Sequence, residues 1–176
     1  MTQPPVNPLA AATLANDLSA GQADAFAALY DRLGSSLLRV ARVMLRSSAD
    51  AEDAVQDVFV ELVRRRAQLA GVRDLDAYVF VMLRHAVERR MERQRTEERH
   101  LRRMTLVGNE SQRAGARDDL EAALKALPAE QREVIALKID GGLTFAQIGL
   151  VLNVSLNTAA SRYRYALEKL RRDLQE

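Results

Sequence analysis

Apolar side chains recur along most of this chain at intervals of three and four residues. No stretch alternates apolar and polar positions long enough to make a sheet, so the periodicity predicts an all-α fold. The first strong segment sets Phe26, Leu29, Tyr30, Leu33, Leu37, Val40, Ala41 and Met44 on one helix face, with a kink or break expected at Gly34-Ser35-Ser36. A second, over about 49–69, buries Ala51, Val55, Val58, Phe59 and Leu62 and leaves Asp53, Gln56, Asp57 and Val60 on an adjoining stripe. A third, over about 75–95, buries Val79, Met82, Leu83, Ala86 and Met91.

The periodicity fails between 96 and 117, where Gly108, Asn109, Ser111 and Gly115 gather, and this stretch reads as a flexible linker. Beyond it, Leu120, Ala123, Leu124 and Leu127 suit a short helix. Pro128 opens the next, whose Val134, Ile135, Leu137 and Ile139 lead to a stop at Gly141-Gly142. Thr144 and Gln147 have the spacing of a capping box, and Leu143 and Ile148 that of a hydrophobic staple. The helix they start is short, because Asn153 suits a left-handed helix end and Ser155 suits a new N-cap. A final helix then buries Leu156, Ala159, Tyr163, Ala166, Leu167, Leu170 and Leu174 and turns Asn157, Ser161, Arg164, Tyr165 and Glu168 outward. Gly149 fits where two helices cross closely. The expected organisation is a flexible tail over 1–16, a helical domain over 17–95, the linker over 96–117 and a helix-turn-helix domain over 118–176.

A short helix, a tight turn and a longer helix exposing Asn, Thr, Ser and Arg is the arrangement that enters a DNA major groove. There Arg pairs with guanine, Asn with adenine, and Ser or Thr with phosphate or base. A plain helical hairpin shares the caps and the apolar stripe but has no need of the polar cluster. Charge placement adds to this picture more than the net charge of +2 does. Arginines crowd the stretch from Arg64 to Arg103, whereas 50–61 carries only acidic charges. Simple solvation of helices by an arginine-rich composition is the competing reading. The absence of cysteine excludes disulfides and thiolate metal sites, and two histidines are too few for a histidine-built metal cluster, so no metal or cofactor is expected. No apolar run approaches the roughly 20 residues of a membrane span, and cytoplasmic residence without membrane insertion is the expectation.

Three segments carry a resemblance. The segment Ala49-Asp50-Ala51-Glu52-Asp53-Ala54-Val55-Gln56-Asp57-Val58-Phe59, together with Leu127-Pro128-Ala129-Glu130-Gln131-Arg132-Glu133-Val134 and the helix-turn-helix over 143–172, resembles the bacterial sigma-70 family, specifically its small extracytoplasmic-function (ECF) type. The likeness runs over about 24–174 in the family's order. It implies a specificity subunit that binds core RNA polymerase, directs it to promoter DNA and helps to melt it, without covalent chemistry of its own. Asp53, Gln56 and Asp57 would form the polymerase-binding surface, whose acidity suits a basic partner. Arg84, His85, Arg89 and Arg93 would meet the single-stranded −10 element, where cations track phosphates and aromatics stack on bases. Tyr78 and Phe80 fit either that stacking role or the core. Asn157, Thr158, Ser161, Arg162, Arg164 and Tyr165 would read the −35 element. In complex with polymerase the protein would lie on the nucleoid.

The sequence departs from the family where His85 replaces the usual Asn and Arg89 the usual Asp, which leaves the favoured −10 base open. Asn157-Thr158-Ala159-Ala160-Ser161-Arg162 replaces the usual GTVKSR, so the −35 preference is this chain's own. The resemblance also leaves open an anti-sigma factor as a partner. A dimeric helix-turn-helix regulator that never joins polymerase is the second reading, and the acidic helix followed by an arginine-rich one argues against it. An enzyme is the weakest reading, since there is no phosphate-cradling glycine loop, no metal-ligand spacing and no nucleophile-base pair.

Overall fold

The structure, a computed structural model, describes the backbone of residues 8–45, 47–104 and 116–174 and the side chains of 13–45, 47–99 and 120–174. Among the described residues every regular element is helical. Helix α1 spans Pro8–Ser19, α2 Ala23–Met44, α3 Ser48–Arg64 and α4 Leu75–Met104, with a 3₁₀ helix over Arg66–Gly71 between α3 and α4. After residue 115 come α5 (Ala116–Ala126), α6 (Ala129–Ile139), α7 (Phe145–Leu152) and α8 (Leu156–Asp173).

The N-terminal unit, α1 to α4, packs α2 on α3, α3 on α4 and α1 on the 3₁₀ helix. Its core holds Leu29, Leu33, Leu37, Val58, Leu62, Val79, Phe80 and Leu83, each excluded from solvent. Ser47 caps α3 by accepting the Asp50 amide at 3.2 Å, and the Asp74 carboxylate accepts the Ala77 amide at 2.9 Å at the start of α4.

Several boundaries differ from the sequence expectation. Residues 8–16 are helical rather than a flexible tail, because Ala15 and Leu18 bury themselves with Leu69 of the 3₁₀ helix in reach. Helix α2 runs unbroken through Gly34, which is buried with the Tyr30 ring 3.4 Å from the position a Cβ would take. Tyr30 itself is exposed and meets Phe59 edge to face at 5.0 Å. Helix α3 ends at Arg64 rather than near 69. Helix α4 continues to Met104, across the first part of the expected linker. There Glu92 pairs with Arg99 at 3.1 Å and with Arg95 at 3.9 Å, the i,i+3 and i,i+7 charge contacts that sustain a helix with no apolar face. The rest of that linker, 105–115, lies outside the described residues, as does the tail over 1–7.

In the C-terminal unit, Ala123, Leu127, Ile135, Ala166 and Leu170 close a small core of α5, α6 and α8. Ile139, Leu156 and Leu174, expected inside, are exposed. The larger core does not stop at the first unit. It continues through Val134, Leu137, Leu143, Ile148, Val151 and Ala159, with α7 seated on α4 and α6 on α2.

Candidate nucleic-acid interface

The helix-turn-helix is built by short-range chemistry. Thr144 and Gln147 form a full capping box: the Gln147 amide donates to Thr144 Oγ1 at 3.2 Å and the Thr144 amide to Gln147 Oε1 at 2.9 Å. Leu143 and Ile148 are both buried as the staple requires. Asn153 ends α7 at φ 53° and ψ 48°, a left-handed conformation in which Asn is better tolerated than most residues. Ser155 Oγ then accepts the Thr158 amide at 3.0 Å and starts α8. Gly149 is required by the turn itself, since a Cβ there would lie 2.8 Å from the Val154 carbonyl oxygen.

This turn orients the expected reading helix. Asn157, Thr158, Arg164 and Tyr165 are exposed, with the Arg164 guanidinium over the Tyr165 ring at 5.3 Å. Ser161 is half-buried. Arg162 differs from its neighbours: its Nη2 lies 2.7 Å from Glu130 Oε2 of α6, inside the same unit. Tyr163 faces inward, edge to face with Phe145 at 5.5 Å.

On the N-terminal unit, Asp53, Gln56 and Asp57 form an exposed stripe along α3. His85, Arg89 and Arg93 are exposed on α4. Asp57 of the first group and His85 and Arg89 of the second line a common cleft of about 190 Å³, together with Glu61, Arg65 and Met82. Phe80 belongs to the core, and Tyr78 is half-buried and packed against it.

Arg84 is not with the other −10 candidates. One step along α4 turns a side chain by about 100°, and Arg84 points at α6, where its Nε donates to Glu133 Oε1 at 2.9 Å while its Nη2 pairs with Glu88 at 2.9 Å. Arg90, one residue past Arg89, turns the other way and holds the Asp57 carboxylate at 2.9 Å with only 11% of its side chain exposed. Neither Glu133 nor Arg90 has a local sequence signal for these roles. The one available hint is the acidic pair Glu130 and Glu133 on a helix that must lie near an arginine-rich one. Burial pushes the Glu133 carboxyl up from its ordinary value, and the adjacent Arg84 only partly offsets this.

Known proteins agree with this layout. Residues 29–97 match the family described as Sigma-70 region 2, and residues 123–172 match Sigma-70, region 4. The ECF RNA polymerase sigma factor SigL of Mycobacterium tuberculosis is 30% identical over 172 residues, 90% of this chain and 93% of its own. The ECF RNA polymerase sigma factor SigK of Mycobacterium ulcerans is 28% identical over 181 residues, 97% of each. Among solved structures, CnrH in complex with the cytosolic domain of CnrY superimposes with a TM-score of 0.70 at 24% identity, over 93% of this chain and 96% of that one. The sigma factor RpoE of Bartonella quintana, in complex with the anti-sigma factor NepR, gives 0.69 at 22% identity, over 85% and 96%. With both regions present in order and relatives alike over nearly their whole length, the chain belongs to the sigma-70 family as an ECF-type RNA polymerase sigma factor, a non-enzymatic protein that directs transcription initiation at promoters.

Proposed function

We propose that the stripe Asp53, Gln56 and Asp57 on α3 docks core RNA polymerase, that His85, Arg89 and Arg93 on α4 track the single-stranded −10 element, and that Asn157, Thr158, Arg164 and Tyr165 on α8 read the −35 element. The observation that carries this reading is that Asp57, on the exposed acidic stripe, shares one cleft with His85 and Arg89 of the exposed face of α4. A chain that must hold a basic protein surface with one helix and nucleic acid with the next needs both signs side by side. The work is cytoplasmic, on the nucleoid while bound to polymerase. No described helix is long and apolar enough to cross a membrane. An anti-sigma factor belongs to the same reading as a partner, as the solved RpoE relative is bound to one.

The test is reconstitution with core polymerase. The triple change Asp53→Ala, Gln56→Ala and Asp57→Ala should weaken binding to core at least tenfold with helical circular dichroism unchanged. Unaltered affinity removes these residues from the docking surface.

A further inference from the structure

We infer that Arg90 and Gln94 of α4 are positioning residues: they clamp the stretch of α4 that carries Arg89 and Arg93 to the docking helix α3, so that core polymerase, by holding α3, also aims those cations at the −10 strand. The inference rests on the docking and −10 roles proposed above.

Apolar packing holds only the N-terminal part of α4. Leu83, Ala86 and Val87 are its last buried residues, and from 88 to 99 the half-buried Met91 is the one apolar side chain. Arg89 and Arg93 are exposed within that second stretch. Two polar ties to α3 take over where the apolar face ends. Arg90 Nη1 lies 2.9 Å from Asp57 Oδ2 and also donates to the Ala86 carbonyl oxygen at 3.4 Å, which lays the arginine arm along its own helix. Gln94 Nε2 donates to Asp50 Oδ2 at 2.7 Å. Arg90 and Gln94 stand about one turn apart on α4, and Asp50 and Asp57 about two turns apart on α3, so each pair projects from one face of its helix. The ties run in opposite order, Asp50 with Gln94 and Asp57 with Arg90, as antiparallel neighbours require.

The polar character of the ties has a consequence. An apolar contact is non-directional and survives a small slide or rotation. A hydrogen bond to a carboxylate depends on distance and angle, and so fixes both. Two such bonds at different heights set the position of α4 along α3 and its rotation, and with them the directions of Arg89 and Arg93, each the immediate neighbour of a clamping residue. Asp57 is the joint. Arg90 takes its Oδ2, yet 53% of the aspartate side chain is exposed, so the carboxylate that faces polymerase also anchors α4. Arg90 itself is enclosed, which separates it from the cations that face outward.

Promoter opening by the full chain with core polymerase tests this. A fluorescent adenine analogue in the −10 element reports opening at saturating core, and affinity for core is measured separately. Arg90→Ala with Gln94→Ala should slow opening about threefold or more, within the range that residues touching neither partner can carry. Core affinity should stay within about twofold of the parent, and the salt slope of promoter binding should be unchanged. Arg90→Lys, which still pairs with Asp57, should open at close to the parental rate. Gln94→Ala alone breaks one tie and should slow opening less; it carries the test if the double variant loses helical content. Opening at the parental rate, or an Arg90→Lys variant as slow as the double one, overturns the clamp. Core affinity falling in step with opening also overturns it, since that marks a general loss of the fold. A shallower salt slope does the same by making Arg90 a phosphate contact. Arg89→Ala with Arg93→Ala tells the clamp from the reading beneath it. If that variant opens as fast as the parent, the −10 role of α4 falls; if it is slow and the clamp variant is not, only the clamp falls.

Discussion

The α7–α8 turn and the α3–α4 pair position their surface residues by different means. In the turn, each feature is set by partners within five residues: Thr144 with Gln147, Ser155 with Thr158, and Gly149 with Val154. On α4, neighbours in sequence go to unrelated partners. His85 and Arg89 open into a cleft, Arg84 reaches Glu133 of α6 and Arg90 reaches Asp57 of α3. A helix of fixed pitch sends adjacent side chains to different faces, and what waits on each face comes from distant sequence. The helix-turn-helix is therefore specified locally, while the surface proposed for the −10 element is specified by tertiary packing.

The sharpest way to break that contrast is at Phe80 of α4, fully buried in the larger core. Phe80→Ala should cost about 3–5 kcal/mol in denaturant unfolding of the full chain, the range for truncating a buried aromatic. A cost below that of any change in the turn would reverse the contrast.

Next in size is the difference between two arginines on α8. Arg164→Ala should lose about 1–3 kcal/mol of discrimination at the −35 element if it reads a base, or flatten the salt dependence if it holds phosphate. Arg162→Ala, paired with Glu130, should do less to promoter binding in the same competition assay. Equal losses would mean that the Glu130 pair gives way on DNA.

A smaller effect belongs to the turn. Asn153→Ala places a residue without a local polar side chain at φ 53° and should cost about 1–2 kcal/mol, whereas Asn153→Gly should cost nothing or stabilise. Thermal unfolding of the two variants checks this, and a neutral Ala would show that the turn is not conformationally demanding.

The smallest effect is a pH slope. Burial raises the carboxyls of Asp76, Glu133 and Asp140, with Arg32, Arg84 and Arg39 respectively pulling the other way. Each native carboxyl binds its proton more tightly than the unfolded one, so stability should fall as pH rises from the ordinary carboxylate range through the raised native values. It should then level off. Glu133→Gln should reduce the slope in urea titrations over that window, and a slope of opposite sign would contradict the burial of these groups.

This division also explains how much of the molecule was legible in its sequence. The all-α class, the capping box, the left-handed Asn153 and the N-cap at Ser155 were readable because each is a statement about neighbours. Leu14, Ala15 and Leu18 carried a helical signal for α1, but over too few residues to stand out from a tail. The extension of α4 past Arg95 was missed because charge pairs such as Glu92 with Arg99, rather than an apolar stripe, accompany it. Gly34 read as a break because nothing near it in sequence shows that its missing side chain leaves room against the Tyr30 ring. The fate of Arg84 depended on a carboxylate 49 positions away, which no periodicity reports.

The length of α4 has a further consequence, in effective concentration. With α4 ending at Met104 and α5 starting at Ala116, the intervening twelve peptide steps span at most about 42 Å. Whatever path those residues take, that covalent limit keeps one unit within reach of the other and raises its effective concentration there. Contacts such as those of α7 on α4 and α6 on α2, too weak to join two separate molecules, can therefore form within one chain. On a promoter the same tether acts in the other sense: once one unit is seated, the second samples a small volume around its own element, so two modest contacts combine into one durable grip.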